Sequence, residues 1–160
     1  MASCLGRPDG VSPVEQLDTQ RYLGTWYEVA RLDHSFERGL SNVTADYSMR
    51  EDGGLRVINR GYSAEEGDWQ QAEGRAYTIE EDQPGHLKVS FFGPFFGSYV
   101  VFELDPDYQY AFVAGNTTNY LWLLARTPSV SDALKTHFLQ RAEILGFEVE
   151  DLIFVDQELN

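Results

Sequence analysis

From Tyr22 to Arg126 the chain is a series of short apolar stretches, each ended by a cluster of Gly, Pro, Asp or Asn, with almost no helical periodicity between them. This pattern constrains the fold more than any other feature. Side chains alternate across a strand, so a stretch that is apolar at every second position buries one face. The expected strands are residues 25–32, 43–49, 55–61, 70–79, 87–92, 99–104, 109–115 and 120–126. The separators at 80–85, 93–97, 105–107 and 116–119 are turn chemistry, and Glu51-Asp52-Gly53-Gly54 reads as a tight hairpin turn. Eight strands in series with mostly short connections predict an up-and-down antiparallel barrel, which leaves no open edge. The longer connection, 33–41, is expected to cover the mouth.

One helix is expected. Thr127-Pro128-Ser129 stops the last barrel strand, and Ser131 is placed to cap a helix from about Asp132 to Gly146. Leu134, Phe138, Ala142 and Leu145 form its apolar stripe. A run at 152–155 reads as a short final strand beside the first. Residues 1–20 hold Gly6, Pro8, Gly10 and Pro13 without apolar periodicity, which reads as a flexible N-terminal tether before a barrel domain at 21–160.

A net charge of −14 opposes nucleic acid and anionic lipid surfaces, whose phosphates it would repel. No apolar run approaches the ~18 residues of a membrane-spanning helix. Ten Phe, nine Tyr and three Trp need a large apolar volume to fill or line, and a barrel lumen is one. The single cysteine, Cys4, permits no intrachain disulfide, so the core alone must hold the fold. Met1-Ala2-Ser3-Cys4 resembles the end of a bacterial lipoprotein signal, without that signal's charged and apolar regions.

Three separated motifs carry a family resemblance. Gly24-Thr25-Trp26-Tyr27 opens the first strand, Asp105-Pro106-Asp107-Tyr108 occupies a late turn, and Arg126 ends the last barrel strand. In this order they resemble the signature of the lipocalins, in which a late guanidinium stacks on the first-strand indole. Tyr22-Leu23-Gly24-Thr25-Trp26-Tyr27-Glu28, Phe36-Glu37-Arg38-Gly39-Leu40, Val89-Ser90-Phe91-Phe92-Gly93-Pro94-Phe95 and Tyr120-Leu121-Trp122 are similar to the bacterial outer-membrane lipoprotein members of that family. The resemblance implies an all-β, eight-stranded antiparallel lipocalin (calycin) barrel with one C-terminal helix and a short final strand. Gly24, Trp26, Asp107, Tyr108 and Arg126 would be its structural signature. It further implies non-catalytic binding, storage or transport of a fatty acid or lysophospholipid. The protein would be anchored to the outer membrane through a lipidated Cys4 and face the periplasm. Asn42-Val43-Thr44 and Asn116-Thr117-Thr118 fit a glycosylation pattern but read as incidental in a bacterial product.

Strand parity proposes a ligand-contacting lining. From Trp26 it assigns Glu28 and Ala30 inward, and from Arg126 it assigns Tyr120, Trp122 and Leu124. Charged or polar neighbours set the rest: Val43, Ala45 and Tyr47; Leu55 and Val57; Leu87, Val89 and Phe91. Gly74 and Ala76 lack bulk and would leave space for an acyl chain. Residues 99–104 are apolar on both faces, which suits cover by the helix or by a second copy of the chain, a homodimer. Phe95 and Phe96 stand at an exposed turn, where they would act as a greasy door or pack across the rim.

Glu28, if inward, should have a raised pKa and serve either a ligand headgroup or a structural hydrogen bond. His34 lies in the mouth loop, and no His, Asp or Glu cluster has metal-ligand spacing. No cofactor is expected. A haem or pigment carrier would need an axial ligand, for which only His34 is placed. A lipocalin-fold enzyme would need a nucleophilic Cys or paired acidic groups inside the barrel; the one Cys is in the tail, and no Ser-His-Asp or Cys-His arrangement falls on the expected strands.

Overall fold

The computed structural model describes residues 4–160, so Met1, Ala2 and Ser3 of the signal-like start lie outside the described residues. Eight strands run in series: β1 (Gly24–Leu32), β2 (Leu40–Met49), β3 (Leu55–Ser63), β4 (Asp68–Thr78), β5 (His86–Phe92), β6 (Phe95–Leu104), β7 (Tyr110–Ala114) and β8 (Leu121–Ala125). Each pairs antiparallel with the next, and β1 pairs with both β8 and β2, which closes the barrel. The short β9 (Leu152–Phe154) joins β1 from outside. It bonds Ala30–Leu32, the upper part of β1 beyond its pairing with β2, and so covers backbone groups that would otherwise be an open edge.

The β5–β6 hairpin is longer than expected. Instead of a loop over 93–97, β6 begins at Phe95 behind a Gly93-Pro94 turn. Gly93 takes φ +54 there, a left-handed turn geometry that costs glycine little. A register shift between Val89 and Phe92 then carries the pairing to the tip.

Helix α2 (Asp132–Ile144) starts as expected, with Ser131 Oγ accepting from the Leu134 N–H at 3.1 Å. Its stripe seals the outer face of the barrel. Phe138 and Ala142 are fully buried with Val100, Phe102, Phe112, Leu121 and Leu123, and the Phe112 and Phe138 rings meet edge to face at 4.9 Å. The double-sided apolarity of β6 is thereby accounted for: Val100 and Phe102 lie under α2, while Tyr99 and Val101 face the lumen side. The outward apolar face that suggested a homodimer contact is covered by the chain's own helix.

The N-terminal segment is laid against the barrel rather than free of it. Val11 is buried in the outer cluster, the Val14 N–H donates to Val101 O at 2.9 Å, and Leu17 reaches the lumen. A Cβ on Gly85 would lie 2.8 Å from the Val14 backbone, so only glycine lets the segment cross there. One turn of helix, α1 (Thr19–Tyr22), then leads into β1 at the closed end.

Candidate functional site

The closed end is built around Trp26. Its indole is fully buried and donates from Nε1 to Tyr22 O at 2.9 Å. The Arg126 guanidinium lies 3.8 Å over the ring and donates to Tyr108 O, Thr25 O and Arg21 O at 2.8–3.1 Å. Tyr108, at φ +58, accepts from the Asp18 N–H through its hydroxyl and carries Arg21 on its ring. Asp107 is exposed, and the carboxylate that holds the turn belongs to Asp105, which accepts from the Gln109 N–H. Gly24 takes φ +98, and a Cβ there would stand 3.5 Å from Arg126 Nη1. Arg126→Ala removes the stacked cation and three donors, so we expect a loss of about 1–3 kcal/mol. Urea unfolding measures it. Ligand affinity should stay near the parent value, because Arg126 does not reach the lumen; parent-like stability would refute its closing role.

Above this base the barrel encloses a cavity of about 100 Å³. The expected wall residues Glu28, Ala45, Tyr47, Leu55, Val57, Ala76, Leu87, Val89, Phe91, Trp122 and Leu124 do line it. Four do not. Ala30 points out into the cluster under α2, because a bulge between Glu28 and Ala30 reverses the parity of β1. Val43 is buried against Gly61 near Leu40, away from the cavity wall. Gly74 leaves room for a side chain rather than for ligand: a Cβ there would sit 2.7 Å from the Phe91 ring. Tyr120 stands at the mouth, its ring stacked at 6.2 Å on Trp122. Leu17, Tyr22, Glu37, Asn59, Tyr99 and Val113 complete the lining.

At the blind end the Tyr99 hydroxyl bonds those of Tyr22 at 2.6 Å and Tyr47 at 2.8 Å. Burial raises all three phenol pKa values, so the trio is neutral. At the other end lies a buried charged cluster. The bulge that turns Ala30 out turns Arg31 in, where it is 2% exposed. Its Nη1 donates to Glu28 Oε1 at 3.2 Å, and its Nη2 donates to Glu37 O and Leu40 O, each at 3.0 Å. The mouth loop is thus tied to the inner wall. Glu37 Oε1 accepts from Trp122 Nε1 at 3.0 Å and lies 2.8 Å from His34 Nε2. His34 is therefore buried and engaged, not an exposed loop histidine.

The two carboxyls divide one proton. Burial, and then the Glu37 charge beside it, push Glu28 well above its ordinary 4.5 despite Arg31. Burial alone would raise Glu37 as well, but hydrogen bonds with Glu28, His34 and Trp122 hold it down at about 2. Glu28 is neutral and Glu37 ionised. Unfolded, both titrate near 4.5. Between about 2 and 4.5 the unfolded chain binds more protons than the folded pair, so stability rises with pH. Above 4.5 the folded pair still keeps one proton, and stability falls as pH rises, by up to about 1.4 kcal/mol per unit. Glu28→Gln removes that retained proton. The variant should gain on the parent steadily from about pH 5 to pH 7 in urea unfolding. A constant difference over that range would mean that Glu28 is ionised in the fold.

Among the described residues no group of three or more His, Cys, Asp and Glu is placed to hold a metal ion. Cys4 is exposed and unpaired by any disulfide.

Comparison with known proteins agrees with this geometry. A family profile described as "Lipocalin-like domain" matches residues 17–157. The Outer membrane lipoprotein Blc of Vibrio cholerae is 58% identical over 97% of this chain and 91% of its own length. The protein of the same name from Escherichia coli K12 is 54% identical over 94% of this chain and 85% of its own. Among solved structures, insecticyanin from the tobacco hornworm Manduca sexta superposes with a TM-score of 0.75 at 20% identity, over 94% of this chain and 86% of that one, which is a likeness of fold.

Proposed function

The chain belongs to the lipocalin family, and from that premise we propose that its barrel holds one fatty acid or lysophospholipid in the cell envelope without transforming it. The observation that carries this reading is the polarity of the lumen along its length. Its wall is mostly aliphatic and aromatic, and its ionised group, Glu37, sits at the mouth beside Glu28. An amphipathic lipid fits that layout with its tail inward and its head at the Glu28–Glu37 end. Each buried CH₂ contributes about 0.8 kcal/mol before ordering costs, so a long acyl chain reaches micromolar affinity or better. The free space of about 100 Å³ is below the roughly 300 Å³ at which ligand pockets begin. A long tail therefore has to enlarge that space by displacing side chains that border it.

Storage or transport is favoured over catalysis by the wall itself. No Ser, Thr, Cys or Lys lines the cavity among the described residues, and Cys4 is outside the barrel. A haem carrier is disfavoured because the Nε2 of His34 is taken by Glu37. The lipoprotein relatives, together with an exposed Cys4, support a lipidated anchor in the outer membrane with the barrel facing the periplasm. The test is native mass spectrometry with lipid extraction, on protein purified from its own host. We expect one acyl lipid per barrel and a lipidated Cys4. A ligand-free chain that also fails to bind a fluorescent fatty acid would refute the container reading.

A further inference from the structure

The three phenols at the blind end hold more donors than they can use among themselves. Tyr22 ends α1, Tyr47 is on β2 and Tyr99 on β6, and all three border the cavity. Tyr99 is the hub, with its hydroxyl 2.6 Å from that of Tyr22 and 2.8 Å from that of Tyr47. Burial raises every one of these pKa values, so each hydroxyl keeps its proton. Three O–H groups therefore share two hydrogen bonds. If Tyr22 and Tyr47 both donate to Tyr99, the Tyr99 proton is left over. If Tyr99 donates to one of them, the proton of that one is left over. No other group among the described residues bonds any of the three oxygens. The surroundings supply no substitute. Tyr47 and Tyr99 have Val57 and Leu87 as cross-strand partners, and Tyr22 and Tyr47 are only 2% and 5% exposed. A buried O–H without an acceptor is costly, and this one borders the space the ligand fills.

We propose that the leftover phenol proton of the Tyr22–Tyr99–Tyr47 trio is donated to an uncharged oxygen at the buried end of the ligand. The preferred ligands are then acyl lipids whose tail ends in a hydroxyl or carbonyl group rather than a methyl. This rests on the reading of the barrel as a lipid container, and it names the class of tail. A methyl-ended chain that reaches the base offers no acceptor and leaves the donor unpaired. A terminal hydroxyl accepts that proton and returns its own to a free lone pair of the trio. A site built to bond an oxygen discriminates strongly against the analogue that lacks it. The oxygen has to be uncharged, since among the described residues no Lys, Arg or His lines the cavity to offset a charge at its base.

The experiment is displacement of a fluorescent fatty acid from the full chain by matched saturated acids of increasing length. Each length is tested with a plain end, with a terminal hydroxyl, and with the hydroxyl moved four carbons back. At the length that reaches the base, the terminal hydroxy acid should bind about tenfold or more tighter than its isomer, and no more weakly than the plain acid. The dicarboxylic acid of that length should bind about tenfold or more weakly than the terminal hydroxy acid. Tyr22→Phe/Tyr47→Phe/Tyr99→Phe keeps the ring volumes and removes the three hydroxyls, and should bring the two hydroxy isomers within about twofold of each other. Equal binding of the isomers by the parent at every length would overturn the proposal, as would an undiminished preference in the triple variant. The isomer comparison needs only the parent chain, so it decides the matter even where the triple variant fails to fold. Failure of the parent to bind the fluorescent acid refutes the container reading itself, whereas binding without preference among the isomers refutes the recognition of a terminal oxygen alone.

Discussion

Arg31→Met should destabilise the barrel by about 3–5 kcal/mol, the loss expected when one member of a buried, hydrogen-bonded charge cluster is removed. The guanidinium is 2% exposed and makes three charge-assisted hydrogen bonds, to Glu28 Oε1 and to the carbonyls of Glu37 and Leu40. Methionine fills a similar volume but donates nothing. It leaves the Glu37 and Leu40 carbonyls and Glu28 Oε1 without their buried donor. The loss is comparable to the whole stability of a marginal domain, so urea unfolding should show a large fall in midpoint. Amide exchange should show residues 33–39 opening first, since Arg31 ties that loop to the wall. Arg31→Lys keeps the charge without the planar fork, and should recover only part of the loss. Parent-like stability of Arg31→Met would mean that the mouth loop is held by something other than this arginine.

Ala76→Trp should weaken a fluorescent fatty-acid or lysophospholipid probe at least tenfold while the fold survives. Ala76 lines the lumen, pairs across the sheet with Leu55 on one side and Val89 on the other, and is 3% exposed. An indole placed there claims the free space of about 100 Å³ that a tail must enlarge to occupy. Lys88→Trp, on the outer face of the adjacent strand, should bind normally. Equal binding by both variants in probe displacement would contradict a lumenal site. If Ala76→Trp strains the strands, Ala76→Leu should give the same ordering with a smaller change.

These two predictions draw on different sources of knowledge. Leu55, Val57, Leu87, Val89 and Phe91 are assigned inward from strand alternation, because charged or polar residues separate them, and Ala76 is assigned there by its lack of bulk. Arg31 is not. Counting from Trp26 by twos leads to Ala30, and an arginine on a strand reads as solvent-facing until the bulge at Glu28/Ala30 is seen. No residue type in that stretch announces a bulge, since none of the positions is a glycine or proline. Glu37 was equally hidden, because a loop carboxylate turns inward only when Arg31, His34 and Trp122 are already assembled around it. Tyr99 stood in a strand apolar on both faces, and only the position of α2 decided which face was inner.

By itself the sequence determined the barrel, its strand order and its signature base, together with the capped helix and the short last strand. Those features are written locally, in alternation, turn chemistry and a few spaced motifs, and such signals act on neighbouring residues whatever the rest of the chain does. The tertiary structure alone decided the course of the N-terminal segment along the barrel, the reversal of parity in β1, and the proton shared by Glu28 and Glu37. It also decided that the Phe36 and Phe92 rings, from two distant turns, approach to 6.3 Å. Each of these depends on groups far apart in the chain approaching within a few ångströms in a medium where charge is costly to bury, and no single segment encodes that on its own.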